Sequence, residues 1–189
     1  MFEDILQSLK DPSSRHAMMV HFPIVLGTLS FLPILAALVF RLKHKALLWV
    51  ALAMLVMMSV SVFVAIQAGE AADENINVFD MTPAESNAIE KHEELAENGW
   101  VWPLIPAVLV GIALVPGQKL GKVRGVSASL AVVGALGVAG WVGLTAHAGG
   151  QVVYVYGIGP PERGTKVPAS EKGNTVMPSP FEQRGRDDE

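Results

Sequence analysis

The sequence predicts an all-α membrane protein whose fold is a bundle of four transmembrane helices, and three observations support this. Hydrophobic residues make up 51% of the 189 residues and charged residues only 17%, a balance typical of a small multi-pass membrane protein. Four apolar runs reach or approach the roughly 20 residues that a helix needs to cross a bilayer. No Asp, Glu, Lys or Arg lies in the middle of any run. The predicted spans cover residues 18–40, 46–68, 100–115 and 126–147.

Proline and capping residues set the limits of the first and third spans. Asp11 followed by Pro12 is the pattern of an N-cap with proline at the first helical position, so the first helix is expected to begin near Pro12, ahead of its apolar run. Pro23 removes a backbone donor and is expected to kink that helix about one turn before it. Pro103 and Pro106 interrupt the third span, which is also the shortest of the four.

A further helix is predicted outside the membrane, in the connection between the second and third spans. The stretch TPAE at residues 82–85 combines a capping box with proline at the first helical position, and a helix is expected over residues 83–98. His92 lies on the apolar stripe of this helix together with Ile89 and Leu95. That stripe is the face that should pack on the bundle.

The charges of the loops predict the orientation of the chain. Residues 41–45 and 117–125 contain six lysines and arginines and no acid, whereas residues 70–97 contain nine acids and one lysine. The positive-inside rule places the two basic loops in the cytoplasm, and the acidic loop and both termini outside, in the periplasm. Residues 1–158 then form the membrane domain. Residues 159–189, rich in Pro, Gly and charge, are expected to form a flexible external tail.

Four of the five histidines fall at the predicted outer face, namely His16, His21, His92 and His147. Ionisable side chains this near the hydrocarbon indicate a functional site. His21 and His147 are the preferred ligand pair, because both lie at the ends of membrane helices. His16 and His92 either form a second pair or support the ligands of the first. The alternatives are a buried, hydrogen-bonded imidazole for His92 and an interfacial imidazole facing lipid headgroups for His21.

Two glycines, Gly140 and Gly143, precede His147 on the same face of the fourth span. Small residues at such positions allow close packing between membrane helices. They could also leave a flat slot in which a porphyrin edge lies, with His147 as axial ligand. Membrane cytochromes b use both small residues against the porphyrin ring and histidine ligands to the iron. The sequence leaves both interpretations open at this helix.

Two motifs carry a resemblance to a known family. His-x4-His-Phe-Pro-Ile opens the first helix at residues 16–24, and His-Ala-Gly-Gly-x-Val-Val-Tyr-x-x-Gly-Ile-Gly follows the fourth at residues 147–159. Together they resemble the bacterial four-helix membrane proteins named domain of unknown function 2231, over about residues 12–159. The family pattern includes an acid that closes the second helix, which corresponds to Glu70 here, and a proline where this chain has Ala17. Family members also occur fused to cytochrome c-like or other redox modules, which implies electron transfer.

The leading functional hypothesis is therefore a b-type cytochrome in the bacterial inner membrane. One or two haem b groups would be held by histidines at the outer helix ends, with Glu70, Thr145 or Tyr154 orienting a ligand. Such a protein would carry electrons from a quinol to a periplasmic acceptor or serve within a respiratory complex, rather than act as a stand-alone enzyme. The acidic loop would suit docking of a basic partner such as a cytochrome c.

Two other classes of function stay open. The four histidines and Glu70 could hold Zn, Cu or Fe without a porphyrin, or the chain could be a cofactor-free accessory subunit of a larger membrane complex. The chain contains no cysteine, which excludes disulfides, thiolate metal sites, iron–sulfur clusters and covalently attached haem. Basic residues are few and lie mostly in the cytoplasmic loops, so we expect the lipid bilayer as a partner and not nucleic acid.

Overall fold

Seven helices make up the part of the chain that the computed structural model describes, residues 10–74, 81–117 and 121–158. In chain order they are α1 (Pro12–Met19), α2 (His21–Leu29), α3 (Phe31–Val39), α4 (Lys45–Asp73), α5 (Pro83–Ala96), α6 (Leu104–Leu114) and α7 (Gly121–Tyr154). No strand occurs in these residues. The predicted tail at residues 159–189 lies outside them, and the side of the membrane that each terminus faces stays a prediction.

The first predicted span is built from α1, α2 and α3, which follow one another as a single apolar stretch of 28 residues. As predicted, Pro12 opens it, and the carboxylate of Asp11 accepts a hydrogen bond of 2.8 Å from the backbone N–H of Ser14. The stretch is interrupted at Val20 and again at Ser30, each three residues before a proline. Since proline has no N–H to donate to the preceding turn, the regular helix breaks there.

Among the described residues, three helical stretches are long and apolar enough to cross a membrane: Pro12–Val39, α4 and α7. They correspond to the first, second and fourth predicted spans, and the prediction of four spans is confirmed only for these three. The third predicted span, residues 100–115, contains a helix of only 11 residues, α6. At 1.5 Å per residue its length is about 16 Å, short of the roughly 30 Å hydrocarbon layer. Turns occupy residues 97–103, where Pro103 precedes the first helical residue.

The helices pack around small side chains. One core cluster joins α3, α4, α6 and α7 through buried residues of which seven are alanine: Ile34, Ala37, Leu48, Ala51, Leu55, Ala107, Val110, Ala113, Ala128, Ala131 and Ala135. Small residues let helix backbones approach closely, which is how helices associate in a lipid environment. A second cluster joins α4 and α7 through Met58, Val62, Val138 and Val142. The helix α7 packs on α2, α3, α5 and α6, and its side chains meet those of α4 in this second cluster.

The short helix α5 packs against the last turns of α7. Thr82 and Glu85 form the predicted capping box at its start, so this N-terminus is confirmed. It ends at Ala96, and the Trp141 indole N–H donates to the carbonyl of Leu95, at 2.8 Å. A hydrogen bond from the Ser59 hydroxyl to the carbonyl of Trp100 fastens the following turn to α4. These contacts fix the apolar face of α5, and therefore His92, over the ends of α4 and α7.

Candidate cofactor-binding site

His16 on α1 and His92 on α5 meet at the end of the bundle. Their ring centroids lie 6.3 Å apart, and the ring planes are inclined at 82°, edge to face. The two residues are 76 positions apart in the chain, so the fold and not local sequence brings them together. Both rings are half-buried. This pairing matches the second of the two histidine pairs that the sequence predicts.

The ring of His16 is held against α4 by one hydrogen bond and one close approach. Its Nδ1 lies 2.8 Å from the carbonyl oxygen of Ala65. A carbonyl only accepts, so Nδ1 carries a proton, and Nε2 is the ring nitrogen that presents a lone pair when the imidazole is neutral. The ring also lies over Gly69, where a Cβ would be only 3.1 Å from the imidazole Cε1. Glycine at this position lets the ring lie close to the helix backbone.

His92 is held against α7 in the same manner. Its Nδ1 donates to the carbonyl of Thr145, at 3.1 Å, and a Cβ on Gly149 would lie 2.9 Å from its Cε1. Burial of the ring and repulsion from a charged His16 lower the pKa of His92, against the opposing effect of its hydrogen bond to Thr145. His92 is therefore neutral at pH 7. Its Nε2 keeps a lone pair, so this nitrogen can act as a base or as a ligand.

Sequence reasoning anticipated only some of these supports. Thr145 is one of the predicted orienting partners, but it acts through its backbone carbonyl, while its hydroxyl donates to the carbonyl of Trp141. Of the glycines under the rings, Gly69 directly precedes Glu70, the acid of the family pattern, and Gly149 lies in the His-Ala-Gly-Gly motif. The signal was therefore present in the sequence. Ala65 carried no such signal, since any residue could supply a carbonyl.

Acidic side chains surround the outer edge of this site. Glu93, next to His92, shares a hydrogen bond with Asp73 at the end of α4. That bond, partial burial and the negative charges of Asp73, Glu90 and Glu70 raise the pKa of Glu93 to about 7. Glu70, predicted to orient a ligand, instead accepts a hydrogen bond of 2.9 Å from the amide of Gln67. Within the described ranges no hydrogen bond joins Glu70 to an imidazole.

The stability of the protein is expected to fall as the pH rises through about 7. Glu93 has a folded pKa above its ordinary value of 4.5, so between these two values the folded state holds a proton that the unfolded chain has released. This contribution is complete below pH 4.5 and is lost as the pH rises through about 7. The lowered pKa of His92 acts oppositely, since its contribution is lost as the pH falls below 6.5. Glu93→Gln, which can still donate to Asp73, should abolish the loss of stability between about pH 4.5 and 7. Melting temperatures at pH 5, 6.5 and 8 measure this, and an identical profile in both proteins would refute the assignment.

His21 and His147, the ligand pair preferred from the sequence, are both exposed. His21 is exposed, and its Nδ1 donates to the carbonyl of Ala17 in the preceding turn, at 2.7 Å. His147 is exposed on α7 and forms no hydrogen bond with the described residues. No ring contact joins the two histidines in that part of the chain. Their pairing as ligands therefore stays a prediction.

The two glycines before His147 face away from the neighbouring helices. A Cβ built on Gly140 or Gly143 would meet no other atom within 4 Å, and both residues are exposed. Close helix packing is found instead at Gly134, where a Cβ would lie 3.4 Å from Pro106. For Gly140 and Gly143, packing within the described chain is thus excluded. The surface they leave is open, with His147 at its end.

Bare metal ions usually require more ligands than this pair provides. Among residues 10–74, 81–117 and 121–158, no group of three or more His, Cys, Asp or Glu side chains is arranged to hold a metal ion. His16 on α1 and His92 on α5 thus offer two nitrogen ligands, and no third ligand side chain joins them among the described residues.

Comparison with known proteins supplies the family. The model of a family described as predicted membrane protein (DUF2231) matches residues 13–161, a range that includes both histidine motifs. The chain belongs to this family. The resemblance seen in the sequence is thereby confirmed, and the DUF2231 chain, with its three long apolar helices, is a membrane protein whose surroundings include the lipid bilayer. Neither the curated proteins nor the solved structures contain a significant match.

Proposed function

We propose that this DUF2231 protein is a membrane-bound electron carrier of the cytochrome b type, in which His16 and His92 would hold one haem. The observation that carries the proposal is the meeting of these two imidazoles from separate elements. Each donates Nδ1–H to a backbone carbonyl and keeps Nε2 for a ligand bond. Histidine ligands of metals almost always have such a partner on the other nitrogen, because it fixes the tautomer and the ring orientation.

The number of ligands favours haem over a bare metal ion. Zinc and copper sites in proteins generally use three or four protein ligands, whereas haem iron receives four nitrogens from the porphyrin and needs at most two from the chain. His16 and His92 supply two imidazoles at this site, and the described residues add no third ligand beside them.

The residues of this chain would tune the bound group as well as hold it. Haem, when bound, supplies a one-electron carrier. The carbonyls of Ala65 and Thr145 make the imidazoles better donors by withdrawing positive charge from Nδ1–H. Exposed acids on α5 such as Glu90 and Glu94 give the surface beside the site a negative potential, which suits a basic cytochrome c-like partner. A quinol in the bilayer would be the electron donor, at the periplasmic face of the inner membrane.

An absorption spectrum of the detergent-purified protein tests the proposal. We expect a sharp reduced α band after dithionite and a pyridine haemochrome ratio of about one haem per chain. Metal analysis of the same sample separates the other two classes. Stoichiometric zinc or copper without haem would replace the proposal with a non-haem metal site, and a sample without haem or metal, from cells with ample haem, would indicate a cofactor-free subunit. A ratio near two haems per chain would indicate a second haem site, for which His21 and His147 are the candidate ligands.

A further inference from the structure

A groove lies at the other end of the bundle, between the end of α3 and the start of α7. It has a volume of about 520 Å³. Leu38 forms one wall, and Val126 and Leu130, one turn apart on α7, form the other. Val126 and Leu130 are exposed, and Leu38 packs on the core with its other side. The groove is therefore a mostly apolar feature of the outer surface of the bundle.

Two glycines give the groove its depth. Gly121 and Gly125 lie one turn apart on the face of α7 that lines the groove, and a Cβ on either would meet no other atom within 4 Å. Any larger side chain at these positions would project into the groove without touching the rest of the chain. Gly125 lies inside the helix, where glycine is unfavourable by about 1 kcal/mol relative to alanine, so the open space at this residue is maintained at a cost to the helix.

The rim of the groove is basic. Lys122 lines it, and the first turn of α7 contains no acid. The chain that follows α3 carries the exposed side chains of Arg41 and Lys43 in the loop and of Lys45 at the start of α4, again without an acid. This end of the spans also carries the basic loops that the positive-inside rule places at the cytoplasmic face. The cytoplasmic leaflet is rich in anionic lipids, and each nearby lysine or arginine favours binding to them by about 1 kcal/mol.

We propose that this groove is a binding site for one anionic phospholipid. The acyl chain lies along Leu38, Val126 and Leu130, and the phosphate pairs with Lys122. An apolar surface at the end of a membrane span is in contact with lipid chains, so the apolar walls select an acyl chain as the occupant. The cationic rim selects a headgroup with net negative charge over a zwitterionic one, by charge complementarity. The site is independent of the histidine pair and of the proposed electron transfer.

The lipid site can be tested with two variants and a matched control. Gly125→Leu fills the groove, and Lys122→Gln removes the rim charge while keeping a long polar side chain. Gly137→Leu is the control, because Gly137 lies on the same helix outside the groove and is equally open. Each protein is exchanged into equal mixtures of phosphatidylglycerol and phosphatidylethanolamine and is then examined by native mass spectrometry. Unchanged helicity and elution volume establish that a variant is folded.

We expect the wild type and Gly137→Leu to retain one phosphatidylglycerol per chain, with a preference over phosphatidylethanolamine of about fivefold. Gly125→Leu should lose the retained lipid. Lys122→Gln should keep a lipid but lose the preference for phosphatidylglycerol. Retention of phosphatidylglycerol in Gly125→Leu at the wild-type level would overturn the site. An unchanged preference in Lys122→Gln would overturn the pairing of the phosphate with this side chain, and this second variant decides the matter if Gly125→Leu does not fold.

Discussion

Replacing Gly149 with alanine is expected to weaken haem binding by about tenfold, the loss typical when a group that orients a metal ligand is removed. The new Cβ would lie 2.9 Å from Cε1 of His92 and 3.3 Å from its Nε2. The ring must then move away from α7, and its hydrogen bond to the carbonyl of Thr145 lengthens. Titration of the haem-free protein with hemin, followed by absorbance, measures the change in affinity.

The neighbouring glycine provides the control for this experiment. A Cβ on Gly150 would meet only Tyr154, at an ordinary contact distance of 3.9 Å. Gly150→Ala should therefore bind hemin as the wild type does. Equal affinity in Gly149→Ala and Gly150→Ala would mean that the position of the His92 ring does not matter for binding, and His92 would then not be a ligand.

Gly99→Ala is expected to destabilise the protein by about 1–3 kcal/mol, the usual cost of forcing an extra methyl group into a packed position. A Cβ on Gly99 would lie 2.5 Å from Cη2 of Trp141. The indole cannot simply rotate away, because its N–H is bonded to the carbonyl of Leu95. The turn after α5 must shift instead, so the melting temperature in detergent should fall by several degrees.

A glycine in open surroundings separates this clash from the general effect of adding a methyl group. A Cβ on Gly137, within α7, would meet no other atom within 4 Å. Gly137→Ala should therefore leave the melting temperature unchanged or raise it slightly, since alanine is the better helix former. If Gly99→Ala melted at the same temperature as Gly137→Ala, the close packing of Trp141 on Gly99 would be wrong.

Local signals in the sequence determined much of the fold. The N-cap at Asp11 and the capping box at Thr82 predicted the starts of two helices, because capping depends only on residues within one turn. The apolar stripe of α5 was also predicted, since helical periodicity alone places His92 beside Ile89 and Leu95. The length of α6 was not predicted. Hydropathy does not show where a helix begins, and here the turns before Pro103 and Pro103 itself delay its start.

Which of the two predicted histidine pairs meets in the fold could not be deduced in the same manner. Position at the end of a membrane helix favoured His21 and His147, yet the structure brings together His16 and His92. That contact depends on where α5 docks, which is set by long-range contacts such as that between Trp141 and the last turn of α5. Periodicity indicates which face of a helix is buried but not which residue on another helix it meets.

The haem content of histidine variants tests the central claim most directly. We would purify His16→Ala, His92→Ala, His21→Ala and His147→Ala with the wild type, and include His44→Ala, at the other end of the bundle, as the control. The haem-to-protein ratio would be measured by pyridine haemochrome. The account predicts that His16→Ala and His92→Ala lose the haem while His44→Ala retains it fully and His21→Ala and His147→Ala retain at least one haem per chain. Wild-type haem content in both His16→Ala and His92→Ala would contradict it.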